Sequence, residues 1–203
     1  MKKHIGIAYP HIAQILSDYS HDSLISIEIG CGGKPYKPFI KGIYYGIDIR
    51  GDLYEGETPD ILCSGEALPF RNSFADLVFV VHTLYQIQDC QEVFKEANRV
   101  LKPGGKFLVF DYNWRVARRL PEAKHKFTPL SLWYFCFTNG FKPRWLLYLP
   151  RSGSRLGRLL DKLGVGDVIR HLLAGSLVFS GEKVDKHFLF CGRQLNGSEK
   201  IHL

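Results

Sequence analysis

Short apolar runs, each closed by a glycine, proline or Asn/Asp cluster, leave this chain few ways to fold. Residues 24–29 (LISIEI), 43–49 (IYYGIDI), 60–63 (DILC), 75–81 (ADLVFVV) and 106–110 (KFLVF) read as five strands. They are apolar throughout rather than alternating, the pattern of strands buried on both faces. Residues 11–19 form a short helix. Residues 91–101 place Val93, Phe94, Ala97, Val100 and Leu101 at helical spacing, and Pro103-Gly104-Gly105 stops that helix. Strands alternating with helices and loops predict an α/β fold with a parallel sheet covered on both faces. Beyond Asp111, residues 129–137 read as a helix and residues 144–149 and 187–191 as two more strands. The stretch 151–184 between them is basic and partly helical.

The chain has 203 residues, which suits one domain, with an ordinary share of hydrophobic (45%) and charged (23%) residues. No apolar run reaches the roughly 20 residues that span a bilayer. The start, MKKHIGIAYPHIAQIL, lacks the apolar core and cleavage site of a signal peptide. The five cysteines are odd in number and show no CxxC spacing, so neither a disulfide framework nor a zinc site is expected, and a reducing cytoplasm is the expected compartment. Charge is uneven. Residues 1–111 hold 11 Lys+Arg against 14 Asp+Glu, whereas residues 112–203 hold 16 against 6. The basic second half suits either an acidic partner or a solvated surface.

In open α/β sheets, ligands sit beyond the C-terminal strand ends. The first such loop reads Glu28-Ile29-Gly30-Cys31-Gly32-Gly33-Lys34-Pro35-Tyr36. A dinucleotide fingerprint, GxGxxG read from Gly30, would require glycine where Pro35 stands. Proline there blocks helix entry over a pyrophosphate and removes one anion donor, so NAD is disfavoured. The other pattern, an acid followed by Gly-x-Gly, fits Glu28, Gly30 and Gly32.

At this point the sequence resembles the class I S-adenosylmethionine-dependent methyltransferases, with a type 11-like methyltransferase domain. Three later blocks keep the family's order and spacing: Asp48 at the second strand end; SGEALPFRNSFADLVFVVHTLYQI (64–87); and ANRVLKPGGKFLVFD (97–111). Together they cover residues 24–111. The resemblance implies a Rossmann-like, doubly wound, seven-stranded, mostly parallel sheet with helices on both faces and one antiparallel edge strand. It implies a single methyltransferase domain over 1–203. The parts would be an N-terminal helix (1–23), a cofactor-binding half (24–111) and a basic acceptor-side half (112–203) with an insert at 151–184.

The cofactor implied is S-adenosylmethionine, and no metal is implied. By the resemblance, Glu28, Gly30, Cys31 and Gly32 line its methionine side, Asp48 takes the ribose and Ile49 covers the adenine. Ser64 and Gly65 lie along the adenine edge, with Glu66 able to substitute where relatives carry an acid at the position of Ser64. Val81 and His82 lie near the methyl group. The family's third alternating glycine would fall at Lys34. Pro35 is expected to start a short turn, with Tyr36 folding over the cofactor or merely packing.

Methyl transfer from a sulfonium needs orientation and a dry site, and a general base only for protonated acceptors. Candidate catalytic residues are His82, Tyr85 and Asp111, with Tyr112 facing the same side. Tyr85 and Gln86 replace an acid and a second histidine that relatives carry. No Asn-Pro-Pro-Tyr run follows the fourth strand, which points away from base methylation. The reading is a methyltransferase acting on a small-molecule or lipid-like acceptor, with 151–184 as a lid, an anionic surface contact or a helical insert. Two alternatives stand beside it: a nucleic-acid or protein methyltransferase docking through the basic half, and a non-catalytic S-adenosylmethionine-binding protein.

Overall fold

A computed structural model describes residues 4–5, 8–52, 54–145 and 176–184. A seven-stranded sheet is built from β2 (Ile25–Ile29), β3 (Ile43–Asp48), β5 (Ile61–Leu62), β6 (Ala75–Val81), β7 (Leu101–Tyr112), β8 (Phe141–Trp145) and β9 (Ser176–Lys183). Its order is β5-β3-β2-β6-β7-β9-β8. All pairs from β5 to β7 are parallel. β9 runs antiparallel to both β7 and β8, one place in from that margin. A separate two-residue parallel pair joins β1 (His4–Ile5) to β4 (Tyr54–Glu55).

The strands are apolar on both faces because both are covered. Val78, Val80, Phe107 and Val109 share one buried cluster with Val93, Phe94 and Ala97 of α2 (Cys90–Val100) and Leu132 and Cys136 of α4 (Pro129–Thr138). Leu77, Phe79, Val81, Leu108 and Phe110 point the other way, onto Ile12, Ala13 and Leu16 of α1 (Pro10–Tyr19). This period-two split fixes the register, since a one-residue slip would exchange the two cores. Helix starts follow local chemistry. Asp89 caps α2 through Gln91 and Glu92 N–H, Thr128 and Ser131 form a capping box on α4, and Pro10 opens α1.

Two sequence blocks turn out to hold each other. Arg99 donates to the carbonyls of Leu68 (2.9 Å) and Phe70 (2.6 Å) and pairs with Glu96, which accepts from Leu68 N–H. The Ala-Leu-Pro-Phe turn is therefore clamped by the Arg-Val-Leu block, a packing role. Asp76 accepts from Ile25 N–H and Lys102, bracing the start of β2.

Some expectations shift. Pro103-Gly104-Gly105 does follow the helix end, but as a bulge inside β7 rather than a separating turn: Ala75 pairs Leu101 while Leu77 pairs Lys106. The stretch read as a basic insert contains β9. Its charged end hid the strand, yet Glu182 pairs with Lys106 across the sheet and Lys183 donates to Leu101 carbonyl, so these charges belong to the ladder. Residues 146–149, the rest of 151–184 and the strand expected at 187–191 lie outside the described residues.

Candidate cofactor and acceptor site

The loop after β2 turns back over the end of β3. Gly30 and Cys31 N–H both donate to Ile47 carbonyl at 2.9 Å, and Gly32 N–H donates to the Asp48 carboxylate at 3.0 Å. Gly30 (φ +73°) and Gly32 (φ +51°) occupy the left-handed region. A Cβ on Gly30 would lie 2.4 Å from Thr83 Cγ2, so the loop lies directly against the residue that follows His82. Gly33 has a different reason to be glycine: its Cβ would stand 2.1 Å from Glu55 carbonyl, where β4 crosses it. Tyr54 covers Gly32 from the same strand.

Lys34 is where the family pattern breaks, and it takes the left-handed conformation (φ +56°) that glycine would. Its buried ammonium lies 2.5 Å from Asp60, whose other oxygen accepts from Gly46 N–H at 2.7 Å. Asp60 lies below its ordinary pKa: partial burial opposes this, and Lys34 and Gly46 N–H outweigh it. Pro35 and Tyr36 do form a turn, running into a single 3₁₀ turn, Lys37–Phe39, and then β3. No helix follows the glycine loop, so the helix N-terminus that holds a pyrophosphate in dinucleotide folds is absent here.

Tyr36 is buried in the core beneath α1, its hydroxyl accepting from Tyr9 N–H at 3.3 Å. It packs in that core with Ile12, Ala13 and Leu16. Glu28 is fully buried, its carboxyl accepting from Tyr44 hydroxyl. Burial pushes its pKa up to about 8; Asp48 adds to the rise, while the Tyr44 bond and Lys34 oppose it. Cys31 is buried, and burial likewise raises its thiol.

The residues expected to face the nucleoside stand at strand ends. Asp48 closes β3, one oxygen bonded to Gly32 N–H and the other accepting from Arg50 N–H at 3.3 Å. Ile49 and Leu62 are exposed apolar side chains at the ends of β3 and β5. Ser64 and Glu66 bond each other (3.1 Å), and Glu66 also accepts from Asp89 N–H at 2.6 Å. Gly65 packs on Ile29, where a Cβ would approach within 2.5 Å.

At the ends of β6 and β7 is an aromatic cluster. His82 has φ +47° and donates its N–H to Phe110 carbonyl at 2.7 Å. Its ring stacks on Tyr112 (centroids 4.2 Å apart, 6° between planes) and meets Tyr9 edge-on at 5.3 Å. Its Nε2 is enclosed and has no hydrogen-bond partner. Burial, with His11 nearby, lowers its pKa to about 4, so the ring is neutral at pH 7. Val81 carbonyl accepts from Thr83 hydroxyl at 2.9 Å.

Tyr85 contacts Tyr112 edge-on and bonds Glu122 at 3.4 Å. Asp111 is completely buried and accepts from the N–H groups of Tyr85 and Tyr112. Burial raises its pKa to about 7 against those bonds. It braces the turn carrying Tyr85 instead of presenting an oxygen outward. Sequence reasoning missed Tyr9, Tyr44, Tyr54 and Asp60. Gly56, which crosses Gly33 at a 2.5 Å Cβ approach, was the available signal for the covering strand.

Residues 27–109 match the family model described as "Methyltransferase domain". That match spans less than half of the chain and, with the sheet order above, makes it similar to the class I S-adenosylmethionine-dependent methyltransferases. Among curated proteins, it is 44% identical over 46 residues to "Sterol 4-C-methyltransferase strm-1" of Caenorhabditis elegans, spanning 23% of this chain and 14% of that one. It is 38% identical over 56 residues to the "Ubiquinone/menaquinone biosynthesis C-methyltransferase UbiE" of Burkholderia vietnamiensis (28% and 23%). A longer match, 28% over 127 residues, is to a tRNA (carboxymethyluridine(34)-5-O)-methyltransferase of Macaca fascicularis (59% and 19%). Each alignment thus covers under a quarter of the relative. The fold is similar to that of YcgJ from Bacillus subtilis, with TM-score 0.66, 14% identity, and coverage of 87% of this chain and all of that one.

Proposed function

We propose that this chain transfers a methyl group from S-adenosylmethionine to a small-molecule or lipid-like acceptor. The observation that carries the reading is the joint between loop and strand: Gly32 N–H on the Asp48 carboxylate, with exposed Ile49 and Leu62 beside it. That arrangement fits a nucleoside. Each Asp48 oxygen accepts one backbone N–H and keeps a lone pair, which suits a ribose diol, and the apolar side chains suit a purine face. Asp48 sets a carboxylate beside the glycines with no cationic side chain among the described residues bonded to it, which suits a cationic ligand and opposes a pyrophosphate.

The cofactor supplies a methyl group on a good, neutral leaving group. The chain's own residues hold and orient. Gly30 and Gly32 let the loop pack directly against Thr83 and Tyr54, and Tyr54 shields the loop from water. His82, Tyr112 and Tyr9 line the acceptor side. A histidine pushed down to about 4 is a weak base. We therefore assign His82 a neutral hydrogen-bond acceptor role and assign Asp111 the positioning of Tyr85.

The sterol and quinone methyltransferases among the relatives support an acceptor of low polarity. The tRNA enzyme supports a second reading in which the basic half docks on RNA. Assays with methyl-labelled S-adenosylmethionine should show transfer to a lipid-extractable acceptor. Transfer confined to tRNA, with steep salt dependence, would replace the first reading by the second.

A further inference from the structure

We propose that the face formed by α3 (Trp114–Ala117), the loop after it and the outer side of α4 docks on an anionic bilayer surface. α4 reads Pro-Leu-Ser-Leu-Trp-Tyr-Phe-Cys-Phe-Thr and carries no charged residue. Its inner side is satisfied: Leu132 and Cys136 are in the core. Its outer side is not, because Leu130 is 76% exposed, Tyr134 62% and Phe137 50%. These three recur at helical spacing along one stripe, with Trp133 stacked on Phe137 at 5.2 Å. A water-facing helix face ordinarily carries charge.

The surroundings say what covers this stripe. Arg115, Arg118, Arg119, Lys124 and Lys126 are all exposed, against the single acid Glu122 in residues 112–138. The ion pairs found among the described residues lie elsewhere, at Lys34, Lys37, Arg50, Lys95, Arg99, Lys102 and Lys106. Trp114 N–H bonds Phe127 carbonyl at 2.8 Å, so α3 sits against the segment entering α4. Arg118 lies 5.5 Å from the exposed Trp114 ring. Aliphatic and aromatic side chains fringed by unneutralised cations match a headgroup boundary: the apolar groups enter the acyl edge while the cations meet phosphates. A protein partner would need an acidic rim; an anionic bilayer supplies one continuously.

The face also has a functional location. Trp114 follows Tyr112 by two residues, at the β7 end where Tyr85, His82 and Tyr112 cluster. Docking there brings the acceptor side next to the membrane. No helix among the described residues is long and apolar enough to cross a bilayer, so contact would be peripheral. This binding claim stands apart from the catalytic reading.

The test is flotation of the full chain with vesicles of phosphatidylcholine alone or with 30% (~30 mol%) phosphatidylglycerol. Binding is expected to the anionic vesicles only and to weaken with salt. Arg118→Gln with Arg119→Gln should weaken it about fivefold per cation removed. Leu130→Ser with Tyr134→Ser should weaken it with the cations intact, while circular dichroism and S-adenosylmethionine affinity stay unchanged. Equal binding to both vesicle types, no binding to either, or a concentration-dependent dimer in light scattering that the α4 variant abolishes would each overturn the proposal. Vesicle binding without methyltransferase activity would leave this face standing and overturn the catalytic reading instead.

Discussion

Replacing Lys34 with methionine isolates what holds the exit of the cofactor loop. The side chain keeps its length but loses the ammonium 2.5 Å from Asp60. Removing one partner of a buried pair costs about 3–5 kcal/mol, because the other charge is left uncompensated. Here the Lys34 side chain is 3% exposed but that of Asp60 is 37%. Water can rehydrate Asp60, and Gly46 N–H still donates to it. We therefore expect a loss of about 2–3 kcal/mol. Asp60→Asn should cost more, since it strands the buried ammonium with only Glu57 at 4.0 Å. Lys34→Gly is the sharpest variant because it restores the alternating glycine of the family. It relieves about 1 kcal/mol of left-handed strain but returns most of that as backbone entropy. Its net loss should match that of Lys34→Met. Guanidinium unfolding gives the stabilities, and the Lys34→Met/Asp60→Asn cycle should show coupling above about 1 kcal/mol. Lys34→Gly with unchanged stability and cofactor affinity, or a cycle coupling near zero, would refute the assignment.

Three further outcomes follow from named contacts. Glu28 has a raised folded pKa of about 8 against 4.5, so the folded chain binds an extra proton between those values. Its contribution is fully present below pH 4.5 and is lost as pH rises through 8. Glu28→Gln should flatten stability over that window, by about 5 kcal/mol at most, and an unchanged pH–stability curve would contradict the burial. Gly30→Ala should cost about 2–4 kcal/mol, combining left-handed strain with a clash against the β-branched Thr83; Thr83→Ser in the same chain should recover part of it in thermal melts. Asp111→Asn places amide hydrogens where backbone N–H groups donate, so it should cost about 1–3 kcal/mol and weaken the acceptor side more than cofactor binding, read as a rise in acceptor KM.

Much of the fold was legible because it rests on short-range patterns. The apolar runs at 75–81 and 106–110 needed only to be recognised as doubly buried, and both faces of β6 are indeed covered. The loop could be read because Gly30 and Asp48 are fixed by backbone geometry that few residue types satisfy. What stayed hidden depends on tertiary contact. β9 ends in Glu182 and Lys183, which look like surface residues until Lys106 and Leu101 are opposite them. Tyr36 reads either as a fold over the cofactor or as mere packing beside Lys34-Pro35, and the turn sends it beneath α1. Lys34 itself has no signal beyond being a residue other than glycine, because its partner Asp60 is 26 positions away. The clustering of His82, Tyr112 and Tyr9 required three separate elements to converge.

Isothermal titration of the chain with S-adenosylmethionine, beside NAD, tests the central claim most directly. The account predicts saturable one-to-one binding of S-adenosylmethionine, no measurable heat with NAD, and at least a tenfold (~1.4 kcal/mol) loss of affinity in Asp48→Ala. Absence of S-adenosylmethionine binding, or an Asp48→Ala variant that binds it as tightly as the parent chain, would contradict it.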